Sequence, residues 1–233
     1  MQNKFKMTVE QNIFLAKRNI IDNIYKSARL EGLNVTFPNT ETIINGGTVS
    51  GLKADEIVSV NNLKHAWYFV FDNIDHPTNY AFICELNKVV GANLIYGAGQ
   101  IRNFPVSVGE YIPPLPIEVD IKDEINAAHG IDNSTERSVT LMLNLMRRQI
   151  FPDGNKRTAM LAANHEMIRN GAGVISVPLT QIQTFSEHLF DFYMTGNMDK
   201  AKSFVFDCCI DGISEPEIHT DVDASSHVTK IVT

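Results

Sequence analysis

The most informative segment of the sequence is Gln149-Ile-Phe-Pro-Asp-Gly-Asn-Lys-Arg-Thr-Ala159, which forms a short loop between two helical patterns. A helix that begins near Asn155 presents unpaired backbone N–H groups and the positive end of its dipole, which together favour an anion. Gly154 lets the backbone approach a ligand closely, and Asn155 adds an amide that can donate a hydrogen bond. The loop therefore predicts an anion-binding turn at a helix N-terminus.

Charged side chains surround the same turn. Lys156 and Arg157 add positive charge, and the planar fork of arginine suits phosphate oxygens. Asp153 supplies an oxygen ligand next to that position, as Mg²⁺ requires. The alternative interpretation of Asp-Gly-Asn alone is an ordinary turn that precedes a helix.

Helical periodicity dominates the rest of the chain. A capping box at Thr8–Gln11 starts the first pattern, and Gly residues stand where several patterns end. Apolar residues recur at three- and four-residue steps in eight stretches: 8–32, 53–71, 78–90, 117–128, 134–148, 155–170, 179–193 and 199–209. The sequence predicts an all-α fold.

One segment breaks this pattern. Gly97, Gly99 and Gly109 punctuate the stretch 101–108, and Pro113-Pro114-Leu-Pro116 forbids a helix after it. A short exposed β-hairpin over 97–112, followed by an extended proline segment, is the predicted structure.

Composition limits the class of protein. The 233 residues carry a formal net charge of −7, so no nucleic-acid partner is expected. The longest apolar runs, such as Trp67–Phe71, are far shorter than the roughly 20 residues that cross a bilayer, so no membrane partner is expected. Three cysteines without a Cys-x-x-Cys pair favour reduced thiols and a cytoplasmic location.

The chain is predicted to have three parts. Residues 1–58 form a helical extension that packs on the core, and residues 59–210 form the core with its hairpin and its loop at 149–157. Residues 211–233 are predicted to be a disordered tail, because five carboxylates and no Lys or Arg occur between Asp211 and Asp223.

The loop resembles the signature of the Fic family, in the Fic/Doc (Fido) superfamily, which runs His-x-Phe-x-(Asp/Glu)-Gly-Asn-(Gly/Lys)-Arg. The segment Gly99–Pro114 is similar to the family's β-hairpin flap, and Lys156-Arg-Thr-Ala159 is similar to its Gly-Asn-Lys-Arg-Thr-Ala branch. The resemblance covers residues 59–209 and implies a Fic-type helical bundle with one short β-hairpin as the flap. The signature positions that match are Phe151, Asp153, Gly154, Asn155, Lys156 and Arg157.

Most Fic proteins transfer AMP from ATP to a hydroxyl of a target protein, and the resemblance implies that chemistry here. Asp153 would hold Mg²⁺, and Phe151 would anchor the loop in the core. The residues that would bind the nucleotide are Gly154, Asn155, Lys156 and Arg157. The flap residues that would dock the target are Ile101, Arg102, Val106 and Val108.

Two positions depart from the family pattern. Gln149 replaces the histidine that serves as general base, and a glutamine amide cannot take a proton near neutral pH. Met160 replaces a second arginine that many members carry three residues after the first. A reduced or altered AMP transferase, an inactive nucleotide-binding protein and a protein-interaction module all stay open, as do a homo-oligomer and a regulatory partner.

Many Fic proteins also carry an inhibitory helix with the pattern (Ser/Thr)-x-x-x-Glu-(Gly/Asn), whose Glu pairs with the arginine that Met160 replaces. The segment Thr40–Gly46 is taken as the nearest string, with Ile44 at the Glu position. We therefore expect the inhibitory Glu to be absent. His129 is the residue considered as a substitute base, because it precedes the helix that leads to the loop.

Overall fold

The structure is a computed structural model, and it describes residues 2–213. The predicted tail from residue 214 onward lies outside these residues. Ten α-helices are described: α1 (Val9–Arg18), α2 (Ile20–Leu30), α3 (Phe37–Ile44), α4 (Ala54–Asp72), α5 (Tyr80–Val90), α6 (Glu118–His129), α7 (Ser134–Arg148), α8 (Asn155–Arg169), α9 (Ile182–Thr195) and α10 (Asp199–Cys208). The all-helical prediction is confirmed.

Local signals set most of the helix ends. The predicted capping box is present, since Gln11 N donates to the Thr8 hydroxyl and Thr8 N donates to the Gln11 side chain. The pattern over 8–32 is two helices and not one, because the chain breaks at Asn19 between α1 and α2. The predicted boundary between residues 58 and 59 falls inside α4, so the extension and the core share a helix.

The helix α8 lies at the centre of the molecule. Residues 157–168 are buried on every side, and α7, α5, α4 and α1 pack around them. A helix that is buried all round needs small or flexible side chains where its neighbours approach, which explains the Ala and Met residues of α8. The loop at 149–157 therefore joins α7 to the N-terminus of the most buried helix in the described chain.

Two short strands close the fold next to the C-terminal end of α8. The strand β1 (Val174–Ile175) pairs antiparallel with β2 (Ile210–Asp211), in the register Val174 to Asp211 and Ile175 to Ile210. The strand β2 continues through Asp211, one residue beyond the predicted end of the core.

The predicted hairpin at 97–112 is shorter than an ordinary β-hairpin. Its bridge joins Val108 to Tyr111, and each of the two backbone N–H groups donates to the other's carbonyl, at 2.9 and 3.1 Å. Prolines at 105, 113 and 114 lack the N–H that a longer ladder would need. Within residues 2–213, no helix is both long enough and apolar enough to cross a membrane.

Candidate functional site

A buried asparagine shapes the loop at 149–157. The Asn155 amide accepts from Phe151 N and donates to Phe151 O, both at 2.9 Å. The Phe151 ring is fully buried in the core. One Nδ2 hydrogen and the Oδ1 of Asn155 are therefore used within the loop, and Asn155 also lines the larger cavity in front of it, so its role as a nucleotide donor stays a prediction.

Gly154 occupies a position where any side chain would be strained. Its φ is +75°, in the left-handed region that favours glycine. A Cβ here would lie 3.1 Å from Val90 Cγ1 and 3.3 Å from Asn87 Nδ2, so the turn is packed tightly against α5. The turn leaves the first N–H groups of α8 facing out of the loop.

Three charged side chains stand around this helix end. Arg157 is only 7% exposed, its Nη2 lies 3.5 Å from Asp153 Oδ2, and its Nε has no partner. Asp153 is two-thirds exposed, and its Oδ1 accepts from the N–H of Gly154 at 2.6 Å. Lys156 Nζ lies 3.9 Å from Glu31 Oε1. Both cations are held only weakly by protein groups.

Gln149 is the residue that ends α7, with φ +46° and ψ +55° in the left-handed region. Its side chain is buried, and Nε2 donates to Met146 O at 2.7 Å. A carbonyl can only accept a hydrogen bond, so this contact also assigns the Nε2 and Oε1 positions of the Gln149 amide. The free end of Gln149 is therefore its oxygen, an acceptor.

A cavity of about 490 Å³ opens in front of the loop. Gln149, Asp153 and Lys156 form its polar wall. The flap and α9 also line it, largely with apolar residues: Val106, Val108, Leu189 and Phe190. A second cavity of about 370 Å³ lies beside Arg157, and Glu31 and Asp153 line both cavities.

The four predicted flap residues divide into two pairs. Val106 and Val108 line the larger cavity, whereas Ile101 packs against the core. Arg102 is buried, and burial lowers its pKa. Its guanidinium donates to four backbone carbonyls, those of Gln149 at 2.6 Å, Pro114 at 2.7 Å, Phe104 at 2.8 Å and, more weakly, Pro113 at 3.5 Å. Arg102 ties the flap to the loop and offers nothing to a target, which corrects its prediction as a docking residue.

Glu31 is the most informative residue that the sequence interpretation missed. It follows α2 directly and reaches the loop, with its side chain 16% exposed and its Oε1 without a hydrogen-bond partner. The string Ser27-Ala-Arg-Leu-Glu31-Gly32 satisfies the inhibitory pattern that was sought at Thr40–Gly46. That other segment is the packed end of α3, with Thr40 and Ile44 buried. The expectation that the Glu is absent is wrong.

Tyr193 on α9 is a second residue that was missed. It lines the larger cavity, and its buried hydroxyl has no hydrogen-bond partner. Burial raises the pKa of Tyr193, and the nearby Gln149 side chain opposes part of that rise, although the two groups do not reach hydrogen-bond geometry. The phenol is thus a neutral donor next to the free oxygen of Gln149.

His129 lies elsewhere. Its Nε2 is 3.0 Å from the carbonyl of Thr78, and it does not line either cavity at the loop. The hypothesis that His129 replaces the missing base is therefore wrong. Across residues 2–213, no group of three or more His, Cys, Asp or Glu side chains is arranged to hold a metal ion.

Fold and site together define a class of protein. A short loop joins two central helices, presents a helix N-terminus with two cations, and faces a cavity that a flap covers from the other side. The Fic/DOC family model matches residues 77–167, which include α5, the flap, α7 and most of α8. The chain contains a Fic/DOC-family domain.

Curated relatives are protein adenylyltransferases at low identity. The chain is 26% identical over 199 residues to protein adenylyltransferase fic-1 of Caenorhabditis briggsae, covering 78% of this chain and 38% of that protein. It is 24% identical over 202 residues to protein adenylyltransferase Fic of Drosophila melanogaster, covering 82% and 41%. The chain thus spans about two fifths of the length of the curated relatives it matches.

Solved structures agree on the fold. A fragment of Fic-1 from Caenorhabditis elegans superposes with a TM-score of 0.70 at 23% identity, covering 82% of this chain and 61% of that one. A Fic domain-containing protein from Bacteroides thetaiotaomicron also gives 0.70, at 21% identity, covering 84% and 80%. These likenesses show that the chain has a Fic-type helical fold.

Proposed function

We propose that the chain binds Mg-ATP at the loop 149–157 and transfers AMP to a hydroxyl of a protein target, with a rate limited by Gln149. The observation that carries this proposal is the 490 Å³ cavity, which is lined by residues at the N-terminus of α8 and by apolar residues of the flap. Such a cavity suits a ligand with a flat apolar part and a charged tail.

Polar atoms without partners support the same ligand. Of the seven described buried side-chain atoms that lack a hydrogen bond, three belong to residues at the two cavities: Glu31, Arg157 and Tyr193. A buried polar atom without a partner costs stability, roughly 1–3 kcal/mol. Its recurrence around one loop indicates groups that a ligand completes, and the donor of Arg157 suits a phosphate oxygen.

Asp153 fits a role as a magnesium ligand. Its carboxylate is exposed, one oxygen is held by Gly154 N, and the other lies at the edge of both cavities. Mg²⁺ in nucleotide sites commonly takes one or two protein carboxylates and completes its shell with phosphate and water oxygens. When bound, the ion neutralises charge on the phosphates.

The chain's own residues perform the remaining work in this proposal. Lys156, Arg157 and the N-terminus of α8 hold the phosphates, and Val106 and Val108 press a target segment towards the loop. The target oxygen forms a bond to the α-phosphorus while the bond to pyrophosphate breaks. The free oxygen of Gln149 accepts the hydrogen bond of the attacking hydroxyl, but the proton must leave to water, since an amide is no base.

The absence of a general base costs about 10²–10⁴-fold in rate. Positioning and phosphate electrostatics survive that loss, and they are the main contributors in phosphoryl chemistry. We therefore expect slow transfer. The alternative functions are an inactive nucleotide-binding module and a protein-interaction module, and the same experiment separates them from a transferase.

Glu31 adds regulation to the proposal. Its carboxylate stands beside Lys156 and between the two cavities, where a phosphate tail would also lie. Like charges at this separation disfavour each other, so Glu31 lowers the affinity for a nucleotide. Because Met160 supplies no arginine, Lys156 is the cation that Glu31 faces.

Incubation with ATP labelled at either the α or the γ position, in a host lysate, tests the proposed reaction. Label on a protein from the α position supports AMP transfer. Label from the γ position alone would indicate a kinase and contradict the proposal. Label from neither position, with Mg-ATP binding retained, would indicate the inactive nucleotide-binding module, and loss of both would indicate an interaction module.

A further inference from the structure

A buried asparagine on α5 joins three parts of the site. Asn87 Oδ1 accepts from Gly99 N at 2.8 Å, at the base of the flap. Its Nδ2 donates to Asp153 O at 3.1 Å, in the loop, and to Thr158 Oγ1 at 3.0 Å, in the first turn of α8. The side chain is fully buried, so water does not replace these contacts.

Both segments that meet at Asn87 pack closely against α5. A Cβ on Gly99 would lie 2.9 Å from Cys84 O and 2.9 Å from Lys88 Cβ, so the flap base rests on α5. A Cβ on Gly154 would lie 3.3 Å from Asn87 Nδ2, so the loop rests on the asparagine itself. The Asn87 side-chain amide therefore lies against both glycine turns, the one at Gly99 and the one at Gly154.

We propose that Asn87 is a positioning residue that holds the flap base, the Asp153 peptide and the start of α8 as one unit. The width of the larger cavity, between Val106 and Val108 on one side and Asp153 on the other, depends on this unit. Asn87 contacts no cavity and acts through Gly99 and Asp153. The claim that Asn87 affects ligand affinity rests on the proposed function, whereas the claim that it holds the flap, the loop and α8 together does not.

Asn164 on α8 provides a matched control. It is equally buried, and its amide also makes three hydrogen bonds: Nδ2 donates to Met160 O and Ile175 O, and Oδ1 accepts from Ile175 N. These contacts secure β1, away from the loop. Asn87→Ala and Asn164→Ala remove the same chemical groups from similarly buried positions. A difference between the two variants at the loop therefore reflects the location of Asn87 and not the loss of a buried amide as such.

The first test is amide hydrogen exchange in the ligand-free protein. The reporter is the N–H of Arg102, which donates to Ile150 O at 3.0 Å across the contact between flap and loop and does not touch Asn87. Asn87→Ala should speed the exchange of the Arg102 N–H about tenfold relative to Asn164→Ala. The two variants are compared under conditions that give them the same unfolding midpoint, so that a difference in global stability does not contribute. Equal exchange in the two variants would overturn the proposal, since Asn87 would then be an ordinary buried amide.

The second test is calorimetry with Mg-ATP and with ATP in EDTA. Asn87→Ala should reduce the affinity gained from Mg²⁺ about tenfold, because Asp153 is no longer held, and Asn164→Ala should leave it unchanged. Asn87→Asp keeps the acceptor for Gly99 but removes the donor to Asp153, so it should behave like Asn87→Ala in this assay. A normal gain in Asn87→Asp would overturn the role of the Asp153 contact.

The outcomes separate the two proposals. If the parent chain binds no Mg-ATP while Arg102 exchange responds to Asn87→Ala, the positioning role is upheld and the proposed function fails. If Asn87→Ala does not fold, Thr158→Val removes one acceptor of the same amide and should raise Arg102 exchange by a smaller factor. No change in Thr158→Val would then contradict the proposal.

Discussion

Buried charged side chains lie at both ends of α8, but their hydrogen bonding differs: the carboxylate at one end is paired within the protein, and charged groups at the other end are not fully paired. At the C-terminal end, Glu166 accepts from Arg137 Nε at 2.8 Å and from the Thr78 hydroxyl at 2.8 Å. Burial alone would raise the pKa of Glu166, but Thr78 and Arg137 outweigh it, and the pKa is lowered. At the N-terminal end, Arg157 and Glu31 keep atoms without partners.

This difference distinguishes a structural hydrogen-bond network at the C-terminal end of α8 from the proposed ligand site at its N-terminal end. A charge with its partners inside the protein needs no ligand, and removing one of those partners destabilises the fold. A charge without them is tolerated where a ligand, when bound, provides the partner. Substitutions at the two ends should therefore affect different properties.

The largest effect is expected at the C-terminal end. Glu166→Ala removes a buried carboxylate and leaves the partly buried guanidinium of Arg137 with only Ile131 O and Asn170 Oδ1 as close partners, which costs about 3 kcal/mol and lowers Tm on the order of 10 °C. Glu85→Ala removes an exposed pair with Lys88 and should change Tm little. If Glu166→Ala also weakened Mg-ATP binding in the folded protein, the two ends would not be independent.

The next effect concerns transfer itself. Gln149→His restores a base with a pKa near ~6.5, and histidine tolerates the left-handed conformation of that position better than most residues. AMP transfer should rise at least ~10-fold, and the rate should increase as pH rises through that pKa, because only the neutral imidazole takes a proton. Gln100→His, on the exposed base of the flap, is the control.

Two results would contradict this prediction. Normal nucleotide binding without any transfer in Gln149→His would show that the site lacks more than a base. Fast transfer in the parent chain, slowed by the histidine, would show that Gln149 itself has a catalytic role.

A smaller effect is expected from the acid beside Lys156. Glu31→Ala removes a negative charge from the edge of both cavities, so the affinity for pyrophosphate should rise about threefold to fivefold, near 1 kcal/mol. Glu41→Ala makes the same charge change on the exposed face of α3 and should leave the affinity unchanged. Weaker binding in Glu31→Ala would mean that Glu31 supports the site.

The smallest effect is expected from Tyr193→Phe. The ring stays stacked on Tyr111, whose centroid lies 5.3 Å away, and only a hydroxyl without a partner is lost. The free energy of unfolding should not fall and should rise by about 1 kcal/mol at most, because a buried hydroxyl without a partner costs stability. Differential scanning calorimetry checks this, and a loss above about 1 kcal/mol would show that the hydroxyl is bonded to Gln149 in solution.

Periodicity predicted the helices well because it depends on neighbours three and four residues apart. The break at Asn19 was missed, since no Gly or Pro marks it. Arg102 was assigned to target docking because the family resemblance places it in the flap, whereas its side chain donates to the Gln149 carbonyl, 47 residues away in the chain.

The parts of the site that were missed are those that tertiary structure brings together. Asn87 lies in an amphipathic helix, and nothing local indicates that its partners are in the flap and the loop. Glu31 did carry a signal, the Ser27–Gly32 pattern, which was overlooked in favour of a weaker string. The tail and the cytoplasmic location stay predictions.

The most direct test of the central claim is calorimetry of Mg-ATP binding to the parent chain, Arg157→Ala and Arg169→Ala. Both arginines are on α8, one at each end, and Arg169 faces Glu166 at 3.9 Å. We expect binding by the parent and by Arg169→Ala, and an affinity at least about tenfold lower in Arg157→Ala, because a charge-assisted hydrogen bond to phosphate is lost. Equal affinity in the two variants, or no binding by the parent chain, would contradict this claim.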